Sequence, residues 1–528
     1  MADNASVYHA SSPQITRSEW RWVMVAALLI LAVSAALNIY GDFVARPGYH
    51  FAGLVYAWED GQTYLAKIRE GLQGEWLYTL AYTASPGPAF ILYPNYLFLG
   101  HIGAWLVLEP DVLFNFARLF DGAILLLTLY GFIARFFPAV SERRVAFVLA
   151  TTGGGFGWLT VVAGHPTPDV VQPEMFPFLS ILANIHFPLA MAAMLWLLDL
   201  LVAGAGDSFW QDWLRIALAS IILATTAPFG LITISAVFAF WIGGQLWLKR
   251  RFPWQPFTQL LGIVVTAAPF LVLYKLTLSA NPSFAAWDSQ NLTLSPPPWD
   301  YLLAIGIVLI PSLVALGTSL RRGPRDLLDH ADEFLLAAWI LVTIVLIYLP
   351  FLSQQRRFSI ALFVPVAILA VRGMRAVPSL RHRGVRFALL LTSSLTNVML
   401  LMVTFLALKS HEPSLFFTQN EWNAILYLRA AGIPHSLVLT SPEMGLFIPA
   451  WTGQRVIYGH PVESLDAQKH KDEVTRFFNG TLDDTSTFLK PVDYVFVGPR
   501  ERVLGTPQLP ADFATVFTAG DVQVYVRR

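Results

Sequence analysis

Two adjacent carboxylates, Glu59 and Asp60, open the polar part of the stretch YAWEDGQTYLAKIREGLQGEW at residues 56–76. An ionised carboxylate within hydrogen-bond reach of a hydroxyl group can act as a general base. Tyr64 lies four residues after Asp60, so the helix that we expect to begin just after Asp60 places both on one face. The alternative role is structural, since aspartate is a preferred N-cap residue. The pair predicts either a catalytic carboxylate or a capped helix.

The same helix has an apolar face formed by Leu65, Ile68 and Leu72. A short amphipathic helix that follows a membrane-spanning segment can lie in the plane of the bilayer surface. This helix can therefore lie on the membrane surface with its apolar face towards the lipid.

Two adjacent arginines, Arg356 and Arg357, lie between two apolar segments in FLSQQRRFSIALF. A guanidinium group stays charged and can bind a phosphate through two parallel hydrogen bonds. The topology derived below places both on the outer side, where arginine opposes the usual excess of basic residues in cytoplasmic loops. Either they bind a specific phosphate, with Arg357 facing inward, or they extend to lipid headgroups in general.

A third group of candidates lies in the proline-rich stretch HPTPDVVQPEMFPFLSILANIH at residues 165–186. Asp169 and Glu174 carry carboxylates that can position a sugar or a divalent cation such as Mg or Mn. The alternative for both acids is that they have no specific role and lie in an ordinary exposed loop. His186 enters an apolar run directly, so it either donates to a phosphate or sugar hydroxyl or caps the helix that follows.

The composition is that of an integral membrane protein. The 528 residues are 55% hydrophobic and 13% charged, with a mean hydropathy of +0.55, whereas soluble domains are about a quarter charged. Lysine plus arginine and aspartate plus glutamate balance at 35 each, so no bulk charge indicates nucleic-acid binding. The absence of cysteine excludes disulfides and thiolate chemistry.

Apolar segments of about 20 residues predict about eleven membrane spans. The stretch 214–248 is expected to form two short helices with a turn at TTAPFG, and the stretch 89–108, interrupted by proline and glycine, is expected not to cross completely. The other expected spans are 21–41, 112–134, 145–163, 187–203, 259–278, 300–319, 334–351, 358–375 and 386–408.

The basic loops predict the orientation and the domain organisation. They fall on one side of these spans, which the positive-inside tendency makes cytoplasmic together with the N-terminus. The loop 42–111 and the tail then lie outside. The membrane module is expected to cover 1–409, and helices at 419–432 and 463–480 alternating with short β-type runs predict a small extracytoplasmic α/β domain at 410–528.

Several short motifs carry a resemblance to a known superfamily. The run DGQTYLA (60–66) resembles the Asp-Glu-x-x-Tyr-Leu pattern in the first outer loop of GT-C membrane glycosyltransferases, in their protein-mannosyltransferase and aminoarabinose-transferase branches. Asp60 takes the aspartate position and Tyr64 the tyrosine, whereas Gly61 stands where glutamate is usual.

Two further segments extend the resemblance. The run QQRRF (354–358) is similar to the segment that contacts the carrier phosphate in oligosaccharyltransferase-like members. The tail runs IPAWTGQRVIYGHPVESL (448–465) and VDYVFVGPRE (492–501) look like the C-terminal domains of bacterial members. No WWDYG-type motif is present, so peptide N-glycosylation is not indicated.

The resemblance implies a mainly α, polytopic helix bundle with a small α/β domain, located in the bacterial inner membrane and serving cell-envelope glycan biosynthesis. It implies transfer of a hexosyl or pentosyl group from a polyprenyl-phosphate-linked donor to a lipid, glycan or protein acceptor, with or without a divalent cation. A lipid or polysaccharide flippase and a non-catalytic scaffold are the alternatives. The expected roles are a base at Asp60 or Glu59 and substrate contacts at Tyr64, Asp169, Glu174, His186, Arg356 and Arg357.

Overall fold

The computed structural model describes residues 14–45, 47–203 and 209–528. Its first twelve helices are α1 (Arg17–Val44), α2 (Trp58–Leu72), α3 (Pro94–Leu106), α4 (Pro110–Ala134), α5 (Val140–Thr152), α6 (Gly157–Thr160), α7 (Pro168–Val171), α8 (Pro177–Ala183), α9 (His186–Ala203), α10 (Phe209–Thr226), α11 (Pro228–Gly244) and α12 (Trp254–Ala280).

The remaining helices are α13 (Pro282–Gln290), α14 (Pro298–Ile305), α15 (Leu309–Arg321), α16 (Pro324–Asp329), α17 (Ala331–Ile347), α18 (Phe363–Ala376), α19 (Arg383–Lys409), α20 (Gln419–Ala431), α21 (Pro442–Thr452), α22 (Ala467–Phe478), α23 (Thr485–Leu489) and α24 (Pro499–Leu504). A π-helix covers Gln245–Lys249, and short 3-10 helices cover Gly306–Val308, Gln355–Ser359 and Pro378–Arg381.

Seven strands complete the described elements. They are β1 (Tyr49–Phe51), β2 (Phe416–Thr418), β3 (Leu437–Leu439), β4 (Arg455–Val456), β5 (Tyr494–Val497), β6 (Phe513–Ala519) and β7 (Val522–Arg527). Strands β1 and β2 pair antiparallel. The other five form one sheet in the order β4-β3-β5-β7-β6, in which β3 is parallel to β4 and β5 while β7 runs antiparallel to its neighbours.

The described chain divides into two compact units. The bundle unit comprises the described residues of Met1–Ala35 with Ala117–Val272 and Leu292–Val403, and the loop-and-tail unit comprises Ala36–Phe116, Leu273–Asn291 and Thr404–Arg528. The tail therefore shares a unit with the first long loop, which local sequence patterns do not indicate.

Within the described ranges, seven helical segments are long and apolar enough to cross a bilayer: Arg17–Val44, Pro110–Ala134, Pro228–Lys249, Trp254–Ala280, Pro298–Arg321, Gln355–Ala376 and Arg383–Lys409. The protein is an integral membrane protein. The apolar window of Gln355–Ala376 is 89% buried, against at most 44% for the other six. Helix α18 is therefore an internal helix of the bundle unit, consistent with its apolar residues on all sides.

The expected spans and the observed helices agree in part. The break within 214–248 is confirmed, since α10 ends at Thr226 and α11 begins at Pro228. Helix α3 has 13 residues, about 20 Å of helix, which is shorter than the bilayer core. Helices α9, α10 and α17 have 17 or 18 residues and reach only the lower limit for a span.

The expected continuous span at 145–163 is wrong. Helix α5 ends at Thr152, and Gly153 continues in an extended conformation. A Cβ on Gly155 would lie 2.0 Å from the carbonyl oxygen of Leu303, so the chain approaches another backbone closely at this turn. Hydropathy alone does not show such a turn, because the glycines that form it are compatible with an apolar helix.

The apolar face of α2 packs against protein, which corrects the expectation that this face contacts the membrane. All of its residues from Gly61 to Gly71 are buried within the loop-and-tail unit. This includes charged side chains, of which Lys67 is 0% exposed and Arg69 is 2% exposed. Arg69 donates to the carbonyl oxygen of Ala450 and to Glu109, so its charge is compensated inside the protein.

Helices α2 and α3 pack with their backbones in close contact. A Cβ added to Gly71 would lie 2.0 Å from the carbonyl oxygen of Leu97, and one added to Gly100 would lie 2.2 Å from that of Ile68. Backbone atoms cannot rotate away as the end of a side chain can. Glycine at both positions therefore fixes the spacing of the helix that carries Asp60.

We predict that Gly71→Val separates α2 from α3 and destabilises the loop-and-tail unit, because overpacking costs about 1–3 kcal/mol or more. The apparent Tm of the purified protein in detergent measures the effect. Gly131→Ala in α4 is the control, since nothing lies within 4 Å of a Cβ at that position. A Tm for Gly71→Val equal to that of the control would contradict the close contact.

Candidate active site

Asp60 lies in the first turn of α2 and not ahead of it. The helix begins at Trp58, and the N-cap residue is Ala57, which has a left-handed backbone conformation with φ of 47°. The N-cap alternative for Asp60 is therefore wrong. Glu59 and Asp60 are both exposed, and the positive end of the helix dipole stabilises carboxylates at this place.

The imidazole of His460 faces the Asp60 carboxylate. Its Nε2 lies 3.3 Å from Asp60 Oδ1, and the side chain of His460 is 4% exposed, against 51% for that of Asp60. The histidine thus reaches the acid from the protein interior, while half of the acid's surface remains open to a substrate.

The other side chains on this face of α2 form a buried aromatic and charged cluster. The ring of Tyr64 stacks on that of Tyr96 with centroids 4.7 Å apart, and the hydroxyl-bearing side chain is 8% exposed. One turn further, Lys67 Nζ lies 3.0 Å from Glu463 Oε1 and within 5.0 Å of the ring centroids of Tyr78 and Tyr93. Tyrosine faces and a carboxylate together stabilise the buried ammonium group.

Glu70 is a second buried charge on α2. Burial raises the pKa of its carboxyl group to about 8, although the backbone amide of Thr79 and the charge of Lys67 oppose the shift. The amide of Thr79 donates to Glu70 Oε2 at 3.0 Å. Glu70 is therefore protonated in the folded protein at a pH where an unfolded chain would have it ionised.

The bundle unit contains a separate group, the arginine cluster, formed by Glu174, Arg356 and Arg357. The carboxylate of Glu174 is 0% exposed, and its Oε1 lies 3.6 Å from Arg356 Nε and 3.6 Å from Arg357 Nη1. Both arginines belong to the 3-10 helix Gln355–Ser359, and their side chains are 29% and 19% exposed. Two guanidinium groups beside one carboxylate leave a net positive charge at a partly accessible place.

His186 and Arg357 both contact the ring of Phe187. The guanidinium carbon of Arg357 is 5.4 Å from the ring centroid of Phe187, and the ring of His186 is 4.2 Å from the same ring. His186 is the first residue of α9 and is 5% exposed. Its position at a helix N-terminus is suited to an anion.

Asp169 is surrounded by hydrogen-bond donors of the bundle unit. Its Oδ2 accepts from the amides of Gly155 and Gly157 and from Thr396 Oγ1, and its Oδ1 accepts from Thr167 Oγ1. Asp169 thereby fixes the turn that ends α5. Burial raises the pKa of its carboxyl group even though these donors act in the opposite direction.

The surroundings of the acids do not fit a cation site built from protein ligands. Within the residues that the structure describes, no three His, Asp or Glu side chains form a group that could hold a metal ion. Asp169 is engaged by hydrogen-bond donors, and Glu174 faces two guanidinium groups.

The structure thus groups the candidates from the sequence by unit. Asp60, Glu59 and Tyr64 lie in the loop-and-tail unit, and the bundle unit holds Asp169, Glu174, His186, Arg356 and Arg357. Sequence reasoning missed His460. Its one local signal is the His-Pro pair directly after a predicted strand, since polar groups after strands of a parallel sheet collect at one edge.

Comparison with solved structures shows the fold. The crystal structure of ArnT from Cupriavidus metallidurans, bound to undecaprenyl phosphate, superposes with a TM-score of 0.53 at 11% identity, over 97% of this chain and 98% of that chain. This chain has a GT-C fold. The likeness extends over nearly all of both chains, so the GT-C fold includes the spans and the tail alike.

Two other solved structures are similar at lower scores. The oligosaccharyltransferase AglB from Archaeoglobus fulgidus, in complex with an inhibitory peptide and a dolichol-phosphate, has a TM-score of 0.49 at 12% identity over 97% of this chain and 75% of that one. Arabinofuranosyltransferase AftD from Mycobacteria has a TM-score of 0.46 at 14% identity, over 98% of this chain and 40% of that one. No family model and no curated protein matches the sequence.

We predict that Glu70→Gln makes the protein less sensitive to alkaline pH. A carboxyl group with a raised folded pKa contributes nothing below its unfolded pKa of 4.5, and it destabilises the fold increasingly as pH rises towards about 8. The variant removes a penalty on the order of a few kcal/mol. The difference in apparent Tm between variant and wild type should be small at pH 5 and large at pH 8.5, and a constant difference would contradict the raised pKa.

Proposed function

We propose that this protein is a membrane glycosyltransferase that moves a sugar from a polyprenyl-phosphate-linked donor to an acceptor hydroxyl group at the outer face of the membrane. The observation that carries the proposal is the exposed Asp60 carboxylate, which the buried imidazole of His460 faces, in a chain with a GT-C fold. ArnT, which shares this fold, was solved with undecaprenyl phosphate bound.

Asp60 is the proposed general base. The acceptor hydroxyl gives its proton to the Asp60 carboxylate while its oxygen attacks the anomeric carbon of the sugar, and the bond from that carbon to the carrier phosphate breaks. The configuration at the anomeric carbon inverts. Asp60 suits this role because its carboxylate is accessible and lies 3.3 Å from the ring nitrogen Nε2 of His460.

Arg356 and Arg357 are the proposed ligands of the carrier phosphate. The leaving phosphate gains negative charge as the sugar departs, and two guanidinium groups that are already in place stabilise that charge. Glu174 keeps the two like charges close together in the absence of phosphate. His186 is proposed to donate to the same phosphate or to a sugar hydroxyl. Tyr64 stacks on Tyr96 along the helix that carries Asp60, and Asp169 fixes the turn that ends α5.

We predict that Asp60→Asn lowers kcat by about 10²- to 10⁴-fold, the usual contribution of general base catalysis. Purified protein in nanodiscs is incubated with a panel of radiolabelled polyprenyl-phosphate sugars and a membrane-lipid extract, and labelled product and released carrier phosphate are measured. Glu59→Gln is the matched control, because it removes the neighbouring exposed carboxylate.

The outcomes separate the candidate functions. Transfer that survives in Asp60→Asn and is lost in Glu59→Gln would move the base to Glu59. Movement of labelled lipid between leaflets without transfer to any acceptor would favour a flippase. Binding of a donor with neither transfer nor movement would indicate a scaffold.

We predict that Arg357→Gln raises the KM for the donor by about 10- to 100-fold, since a hydrogen bond to a charged group contributes about 1.5–3 kcal/mol. Arg357→Lys should recover part of the loss, because lysine keeps the charge but not the paired hydrogen bonds. Arg375→Gln is the control, as its side chain is 61% exposed. An unchanged KM in Arg357→Gln with an unchanged apparent Tm would remove Arg357 from the phosphate site.

A further inference from the structure

The contacts of His460 with the backbone select one tautomer of its neutral imidazole ring. Its Nδ1 accepts from the backbone amides of Val462 and Glu463, each at 3.1 Å. A backbone amide can only donate, so Nδ1 carries no proton in this arrangement. The ring proton of the neutral imidazole therefore lies on Nε2, the nitrogen that faces Asp60.

Several hydrogen bonds hold the turn that carries His460. Ser464 Oγ accepts from the amides of Gly459 and His460. Gln290, at the end of α13, donates to the carbonyl oxygens of Val462 and Ser464. These bonds hold the backbone that in turn holds the ring.

Helix α2, which carries Asp60, also contacts this turn through an ion pair. Lys67 of α2 pairs with Glu463 at 3.0 Å, and Glu463 follows His460 by three residues. Asp60 and Lys67 lie two turns apart on one face of α2, so the helix and the turn are joined at two points. The backbone elements that carry His460 and Asp60 are therefore joined by the Lys67–Glu463 ion pair as well as by the approach of the two side chains.

We propose that His460 is a positioning residue, which donates its Nε2–H to Asp60 Oδ1 and so sets the orientation of that carboxylate towards the acceptor hydroxyl. The inference rests on the proposed role of Asp60 as general base. The acceptor proton goes to Asp60 and not to His460, because Nε2 already carries a proton and Nδ1 is engaged by two amides. The roles of acid and imidazole are thus reversed relative to a serine-protease triad.

The purely structural alternative is that His460 only closes its own turn. Two variants separate the two roles, because each amide side chain reproduces one nitrogen of the ring. His460→Asn places its Oδ1 where Nδ1 accepts from the amides but is too short to reach Asp60. His460→Gln places its amide nitrogen where Nε2 donates to Asp60.

We predict that His460→Asn lowers kcat by about 10- to 100-fold, the cost of a misplaced catalytic group, with an unchanged KM for the donor and an apparent Tm close to that of wild type. His460→Gln should keep most of kcat even if its Tm falls. Wild-type kcat in His460→Asn would overturn the proposal, and so would a loss in both variants that follows Tm alone.

A double variant tests whether His460 acts through Asp60. If it does, adding His460→Asn to Asp60→Asn should reduce the residual rate no further, since coupled residues have non-additive effects. If His460→Asn lowered the rate by the same factor in the wild-type and Asp60→Asn backgrounds, His460 would act independently of Asp60. That result would refute the positioning role.

A measurement that needs no activity distinguishes this inference from the proposed function. Ring ¹⁵N NMR of histidine-labelled protein, with the His460 signals among the 11 histidines assigned by their absence in His460→Gln, should show a protonated Nε2 and an unprotonated Nδ1. Asp60→Ala should shift the Nε2 signal. A proton on Nδ1 or an insensitive Nε2 would refute the pairing, whereas full transfer by Asp60→Asn would instead refute the proposed base.

Discussion

The compensation of the charge on Lys67 is the interaction on which the loop-and-tail unit depends. An ammonium group with no exposure to water is stable only beside an opposite charge and further polar or aromatic groups. Glu463 and the tyrosine rings supply these. Because Glu463 belongs to the tail and Lys67 to the first loop, neither segment can bury this pair alone. Burial of one helix thus requires the folding of both segments together.

The position of the proposed base follows from that constraint. Helix α2 is closely packed against α3 through Gly71 and held by Arg69 and Lys67 along its length. Its first turn alone remains exposed, and that turn carries Asp60. A carboxylate at the open end of an otherwise immobile helix can be accessible and well oriented at once, a combination that an acid in a loop would lack.

The arginine cluster shows the opposite arrangement, in which the acid is buried and the bases are accessible. Glu174 is 3.6 Å from each guanidinium group, a distance that lowers the repulsion between Arg356 and Arg357 without forming short hydrogen bonds. A phosphate oxygen at hydrogen-bond distance would interact more strongly than this carboxylate. This arrangement is the basis for proposing the two arginines as ligands of the carrier phosphate.

Much of the fold could be predicted from the sequence, because hydropathy and periodicity are local properties. They indicated the membrane class, the break between α10 and α11, and strands β3, β4, β5 and β7 of the tail. Local motifs also indicated Asp60 and the arginine pair as candidates. The end of α5 at Thr152 could not be predicted, since glycines in an apolar run do not show which backbone they will approach.

The sequence by itself determined that this is a many-span membrane protein with an α/β tail, and it placed an acid and two arginines in segments that resemble a sugar-transferring superfamily. Only the tertiary structure decided that α2 is buried, that Asp60 is not an N-cap and that His460 faces it. The physical reason is distance along the chain. Lys67 and Glu463 are 396 positions apart, and no local pattern records which distant charge will compensate a buried one.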